Sequence, residues 1–600
     1  MNDTRMKKNL RKLLAVFLSA DMALFPAVAS AQQAAPSIVI DNHTMPSAPA
    51  PNLDRTANGV QQLNIATPNG ARLSHNMFTE YGVEQKGLIL NNATKATQTQ
   101  LGGYVYGNAN LNGTSAKVIL NEVTGPHASQ MLGTTEVAGQ QANVVVANPN
   151  GITCNGCGFV NTSRVTLASG HSEIDTTGKL AALKVQDGYV AFEGQGGNFT
   201  AVPVLDILSR RVTFNAQVNA QNARLVVGQN RIDYETGQVH PLDKDGSPAP
   251  AFAIDSTALG GLYAGQISML VNEAGAGVRV NGTMAANAGD MTLTADGQLV
   301  LNGKMSASGR IEMAAGEMQQ AGSIQSGTSM QLTSTGAITQ SGLIDSQQGL
   351  ALSAASLRNT GSLKAAGGAG IRIAAHNDVR NSGTIAASGG ALSASGRLIS
   401  NETGGVLAAQ GQLDLQSAGD IANSGQIASQ GSSITLRANG KFAQSGGELA
   451  AQGGALVITA NAIANDETSR IASRDAMHFT ATQFGNAGSI IAGQELSFET
   501  GLSLANSGNI QAYSLSGAAL QSLRNSGTLQ AVSGALSLSV QTALRNSGTL
   551  YGATGAAIRQ VARSIIVMAR SARGVARSLS LLALLPITEA RSSLLPGRSD

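Results

Sequence analysis

Asn525-Ser526-Gly527-Thr528-Leu529-Gln530-Ala531-Val532-Ser533-Gly534-Ala535-Leu536-Ser537-Leu538-Ser539-Val540-Gln541-Thr542-Ala543-Leu544-Arg545-Asn546 begins and ends on the same residue in the same setting. Asn525-Ser526-Gly527 is turn chemistry, and Thr528–Ala531 alternates as a short strand. Ser533-Gly534 turns again. Leu536, Leu538 and Val540 then alternate with Ser537 and Ser539, which puts the aliphatics on one face and the serines on the other.

The same unit, Asn or Gln, then a small residue, Gly, any residue and Ile or Leu, starts at Asn359, Asn381, Asn423, Asn486, Asn506 and Asn546. Looser copies start at Gln320, Gln340, Asn401, Gln444 and Asn465. Successive starts lie 19 to 22 residues apart, a period that marks a solenoid. A leucine-rich horseshoe shares the period but needs denser Leu and an interior Asn in another frame. Two or three short strands per unit, each paired with the unit above, make a parallel β-helix. One unit alone cannot bury its apolar face, so stacking supplies the core. At about 4.8 Å per rung, about twelve copies span roughly 55–60 Å. Equivalent Asn side chains are expected to stack as a hydrogen-bonded ladder.

Composition agrees. Gly reaches 71 of 600 residues, aromatics are 3% and there is no Trp, so thin repetitive cores fit better than an ordinary enzyme core. Residues 1–31 carry +3 and residues 559–600 carry +5, which leaves −5 of the net +3 for the body. An acidic body gives no electrostatic footprint for nucleic acid.

Lys7, Lys8, Arg11 and Lys12, the apolar run Leu13–Val28 and Ala29-Ser30-Ala31 read as a signal peptide over 1–31, with the mature chain starting near Gln32. Asp21 interrupts the apolar run and argues against a membrane anchor. Residues 32–58, rich in Pro, Ala, Asn and Gln, are expected to be a flexible lead-in. A first β module runs over 59–285 and the repeats over 286–557. From 558 to 600 the pattern stops, and seven Arg alternate with apolar stretches. A basic amphipathic helix at a membrane surface is one reading of this tail. A truncated or frame-shifted end is the preferred one.

Several separated stretches of the first module carry a family resemblance. They are Leu73-Ser74-His75-Asn76, Gly87–Asn92, Gln98–Gly103, Ile119–Val123, Asn148-Pro149-Asn150-Gly151-Ile152 and Leu259–Gly265. Together they resemble the N-terminal two-partner-secretion (haemagglutination activity) domain of filamentous haemagglutinins and contact-dependent growth-inhibition effectors. The resemblance implies a right-handed parallel β-helix with this module as its N-terminal cap. It also implies recognition in the periplasm of a Gram-negative bacterium by an outer-membrane transporter with periplasmic receptor domains. The product would be a secreted or cell-surface adhesin-like rod, or the stalk of an inhibition effector, that meets a host or bacterial surface receptor.

By that resemblance Asn148, Pro149, Asn150, Gly151 and Ile152 are transporter-recognition candidates. The second motif of the family appears as Asn108-Ala109-Asn110, with Ala where the family has Pro. Taken bare, Asn148–Gly151 is good type I turn chemistry. Cys154 and Cys157, the only cysteines, lack a thioredoxin-like setting for a redox motif and the other ligands of a zinc site. A local disulfide formed after export is favoured.

Some parallel β-helices cleave polysaccharides, so the acids deserve inspection. Asp345, Asp378, Asp414, Asp420 and Asp475 are scattered, and Asp466-Glu467 sits in an expected turn. No cluster suited to metal or acid–base work is expected, no catalytic residue is assigned and no cofactor is implied. His75 is read as structural.

Overall fold

The computed structural model describes residues 37–42, 49–243, 246–499 and 501–561. The expected signal peptide and nearly all of the expected tail lie outside them. The described chain is all-β apart from one turn of 3-10 helix at Ala109–Leu111. A 37-stranded and a 22-stranded sheet wind around a common interior. One apolar cluster runs from Ile38 to Val540 through both the first module and the repeats.

A single rung shows the construction. Leu392–Gly396 and Leu398–Asn401 belong to the larger sheet and Val406–Ala409 to the smaller. All three pair in parallel with the rung that follows, Leu392 opposite Leu413, Asn401 opposite Asn423 and Val406 opposite Gln426. Alternation holds as expected. Leu536, Leu538 and Val540 are buried, while Ser537 is exposed and Ser539 half-buried. Each buried Leu or Ile contributes about 1.5–3 kcal/mol relative to exposure.

The repeated Gly has a steric cause. A Cβ on Gly508, Gly527 or Gly548 would collide with the carbonyl oxygen of Gly488, Gly508 or Gly527, one rung below. The turns therefore stack as a glycine column. Beside it runs the expected amide ladder. Asn359, Asn381, Asn401, Asn465, Asn486, Asn506 and Asn525 are buried. Asn359 Nδ2 donates to Asn381 Oδ1 at 2.6 Å, Asn381 to Asn401 at 2.8 Å, and Asn506 to Asn525 at 2.8 Å.

Three features differ from the sequence expectation. The lead-in is not uniformly flexible: Val39–Ile40 pairs antiparallel with Leu73–Glu80, and Asn52–Arg55 with Gln61–Asn64. An exposed first rung would offer unpaired N–H and C=O groups, and these antiparallel strands cover it. At the other end the ladder passes the expected boundary at 557, because Gly555–Gln560 pairs in parallel with Ala535–Val540. Third, the first module carries two excursions off the helix. A four-stranded antiparallel sheet, His171–Ile174, Leu180–Val185, Asn230–Asp233 and Val239–Pro241, lies on one face. It covers outward apolar residues of the rungs, with Leu120, Val145 and Leu208 packed against Leu183, Ile232 and Tyr234. A hairpin, Thr97–Thr99 with Gly103–Val105, covers a smaller cluster of Val60, Ile89 and Ala138.

Candidate functional site

Strand Asn143–Ala147 feeds the turn Asn148–Ile152, which leads into strand Ile152–Cys154. Asn148 is fully buried. Its Oδ1 accepts the Asn150 N–H at 2.9 Å, and its Nδ2 donates to His127 O and Ser129 Oγ, both at 3.0 Å. The Gly151 N–H donates to Asn148 O at 3.0 Å and closes the turn. Asn150 Nδ2 reaches back to Gly125 O at 2.8 Å. Gly151 has φ +117°, and a Cβ there would lie 2.7 Å from the Tyr189 ring. Ile152 is buried in the core. Only Pro149 and Asn150 keep substantial solvent contact, and both are half-buried.

The second motif folds in the same way without its proline. Asn108 Oδ1 accepts the Asn110 N–H at 3.0 Å, and Asn108 Nδ2 donates to Ile65 O and Asn91 O at 3.0 Å. Leu111 N–H donates to Asn108 O at 3.2 Å. Asn110 Nδ2 reaches back to Ala50 O at 3.2 Å. The asparagines, not the ring, hold the turn, which is the local side-chain capping that Asn supplies. No hydrogen bond joins the two turns among the described residues.

Cys154 ends a strand of the larger sheet and Cys157 begins Cys157–Val160 of the smaller. Their sulfurs are paired, with Cα atoms 5.3 Å apart and both residues buried. The link therefore crosses the corner between the two sheets. Phe159, Phe192, Phe199 and Phe214 pack in a chain of ring contacts beside it.

The electrostatics of the module centre on carboxylates that sequence reading passed over. Glu122, one residue inside a family motif, is buried on the outer face of its strand. His75 Nε2 lies 2.8 Å from Glu122 Oε2, and Ser172 donates to the same carboxylate from its N–H at 2.9 Å and its Oγ at 2.7 Å. Burial pushes the Glu122 carboxyl up, but the hydrogen bonds from His75 and Ser172 outweigh it and hold it below the usual carboxylate range. His75 is thus a structural partner, and Glu122 latches the four-stranded sheet to the helix. Glu136 does the same for the hairpin, accepting the N–H groups of Gln100 and Leu101, each at 2.8 Å. Asp206, also buried, holds Arg164 Nε at 2.5 Å, and the Arg164 guanidinium lies 4.4 Å over the Tyr234 ring. A charged residue alone in an apolar strand, as in Leu205-Asp206-Ile207-Leu208, was the signal available.

The repeat acids occupy ordinary surface roles. Asp378 pairs with Arg380 and Arg397, Asp414 with Arg437, and Asp420 accepts the Lys441 N–H at 2.7 Å. Asp466 caps its turn, accepting the Thr468 N–H and the Ser469 Oγ–H. Among the described residues no three His, Cys, Asp or Glu side chains converge as a metal site would require.

Comparison with known proteins places these features. The TPS secretion domain family matches residues 38–301, and the haemagglutinin repeat family matches residues 306–383, 384–479 and 451–551. The chain belongs to the family of filamentous haemagglutinins and contact-dependent inhibition proteins. It is 46% identical over 297 residues to a 16S rRNA endonuclease CdiA of Enterobacter cloacae, a match covering 49% of this chain and 8% of that protein. A tRNA nuclease CdiA of Escherichia coli strain STEC_O31 is 47% identical over 251 residues, covering 42% of this chain and 8% of the relative. The tRNA nuclease CdiA-2 of Burkholderia pseudomallei is 40% identical over 253 residues, again 42% and 8%. The chain therefore spans about 8% of the length of the curated relatives it matches. A crystal structure of a filamentous haemagglutinin secretion domain aligns at 29% identity with a TM-score of 0.43, covering 51% of this chain and 96% of that one. Secretion domain and haemagglutinin repeat are non-enzymatic modules, and proteins built from them in this family are exported to the Gram-negative cell surface.

Proposed function

We propose that residues 38–301 are the export module of a surface rod and that the repeats from 306 onward are its passenger. In this reading the signal peptide carries the chain to the periplasm. A cognate outer-membrane transporter with periplasmic receptor domains then recognises the module. The observation that carries the reading is the unbroken core from Ile38 to Val540. Module and passenger are one solenoid, so a folded module is a template on which the next rung can pair as it emerges.

Within the module, Asn148, Gly151, Ile152, Asn108 and Asn110 act by shaping the two turns, since their polar atoms are spent on internal carbonyls or they are buried in the core. Asn150 Nδ2 is spent in the same way on Gly125 O, so the half-buried Pro149 is the member left to touch the transporter. The Cys154–Cys157 bridge forms in the oxidising periplasm. It spans too few residues to obstruct threading and fixes the corner between the sheets.

The rod serves as an adhesin in the first reading. The CdiA relatives favour a second, in which the same rod is the stalk of a contact-dependent inhibition effector. Export is tested by expressing the chain with and without its cognate transporter and measuring the protein in the medium. Equal release in both would end the proposal. The downstream reading frame and a cell-adherence assay on the purified rod separate the two readings.

A further inference from the structure

The amide ladder is directional, and it has interruptions. Every ladder Asn from Asn359 to Asn525 donates from Nδ2 to the side-chain amide oxygen of the next rung. Asn423 to Gln444 Oε1 is 3.0 Å, Asn465 to Asn486 and Asn486 to Asn506 are 2.7 Å, and Asn525 to Asn546 is 2.8 Å. No glutamine does so. Gln320 Nε2 turns instead to Gly322 O and Leu343 O, and Gln340 Nε2 to Gly342 O and Ser362 O, each at 2.7 and 3.2 Å. Gln444 Nε2 has one long bond, to Arg470 O at 3.4 Å.

The receiving oxygens register the difference. Gln340 Oε1, Asn359 Oδ1 and Asn465 Oδ1 are buried without a hydrogen-bond partner, and each sits one rung after a glutamine. Gln320 Oε1 is unpartnered as well, and the rung before it carries Leu301. The cause is reach. One extra methylene carries the NH₂ past the neighbouring amide oxygen, so Gln320 and Gln340 keep only backbone carbonyls of the kind that Asn359 and Asn381 reach in addition to the next amide, while the Gln oxygen can still accept from the rung before.

The chain of amides is thereby cut into two runs of five, Asn359 to Gln444 and Asn465 to Asn546. At the cut a carboxylate supplies part of the missing tie, since Asp466 Oδ1 accepts the Gly446 N–H at 3.2 Å. We propose that glutamine at the ladder position terminates the amide chain and that the Gln444/Asn465 junction is a built-in joint, opening before any junction inside either run. A buried acceptor left unpaired costs more than a typical hydrogen bond gains. In a one-dimensional stack such a cost falls on a single interface and divides the stack into separately cooperative blocks.

Hydrogen exchange on the full secreted chain tests this, each rate taken relative to its intrinsic value. The Asp466 N–H bonds to Gln444 O across the joint, whereas the Ser507 N–H bonds to Asn486 O inside a run. Asp466 is expected to exchange ~10-fold faster than Ser507. Gln444→Asn should bring the two within about threefold. Asn486→Gln should orphan Asn506 Oδ1 and speed Ser507 by ~10-fold. Equal exchange in the native chain overturns the proposal. So does unchanged Asp466 exchange in Gln444→Asn, or unchanged Ser507 exchange in Asn486→Gln, with each rod folded by circular dichroism.

Discussion

The export module and the repeat rod are the same helix solved in two ways. In the rod one kind of side chain, the ladder amide, recurs from Gln320 to Asn546, and within each run it meets its own kind. In the module nearly every polar position is used once: Asn148, Asn108, Glu122, Glu136 and Asp206 each satisfy a different set of partners. Repetition makes the rod tolerant, because a damaged rung has equivalent neighbours on both sides. Uniqueness makes the module specific, because no other residue can take over a lost role.

The largest expected effect sets the two regions against each other directly. Phe192→Ala in the module and Leu529→Ala in the rod both empty a fully buried site. Losses of about 3–5 and about 2–5 kcal/mol are expected. The module should lose its melting transition as a unit and export should fall with it. The rod should lose protection only in the rungs near 529, as hydrogen exchange would show. Global melting of the rod by Leu529→Ala would break the contrast.

Next come the turns and their bridge. Asn148→Ala leaves Asn150 N–H, His127 O and Ser129 Oγ without their partner and should cost about 1–3 kcal/mol in thermal or denaturant unfolding. The double change of Cys154 and Cys157 to Ser should cost about 2 kcal/mol, as a very short loop closes in the chain-entropy picture. Thiol counting on secreted protein checks the pairing itself, and two free thiols would refute it.

A pH effect follows from Glu122. Its native carboxyl titrates below its ordinary value, so the stability it lends is fully present above about pH 4.3. That stability is lost as pH falls through the native value. On acidification the amides of His171–Ile174 should lose exchange protection before those of the rod, and Glu122→Gln should flatten this dependence. The smallest effect is Pro149→Ala. The Asn108-Ala109-Asn110 turn keeps its bonds with Ala at this position, so stability should change by no more than about 0.5 kcal/mol. Lost secretion at unchanged melting would mark Pro149 as a transporter contact, whereas parallel losses would make it structural.

The contrast also explains what could be read beforehand. The rod was legible because its period, its alternation and its Asn column repeat in the letters themselves. The stop at glutamine was not, since a pattern that accepts Asn or Gln treats side chains of different reach as equal. The four-stranded excursion was hidden for another reason. His171–Ile174 and Leu180–Val185 alternate like rung strands, and alternation does not say whether a strand winds around the core or folds back over it. The Asn108-Ala109-Asn110 turn keeps its bonds without a proline, because the buried Asn108 supplies them as Asn148 does in the other turn. Val39–Ile40 and Asn52–Arg55 were missed because two to four residues in a Pro-rich stretch carry no periodicity.

The glycine column and the Asn chain share a property with a consequence for lineage rather than for structure. Both are translationally symmetric, so a segment carrying a whole number of rungs can be duplicated or excised between two Asn positions without disturbing the rungs on either side. Unequal recombination within a run therefore yields a longer or shorter rod that folds at once. The reach of such a rod is a quantity that genetic accident can adjust in steps of one rung, while the export module, whose rungs carry the two excursions and their separate carboxylate latches, is transmitted whole.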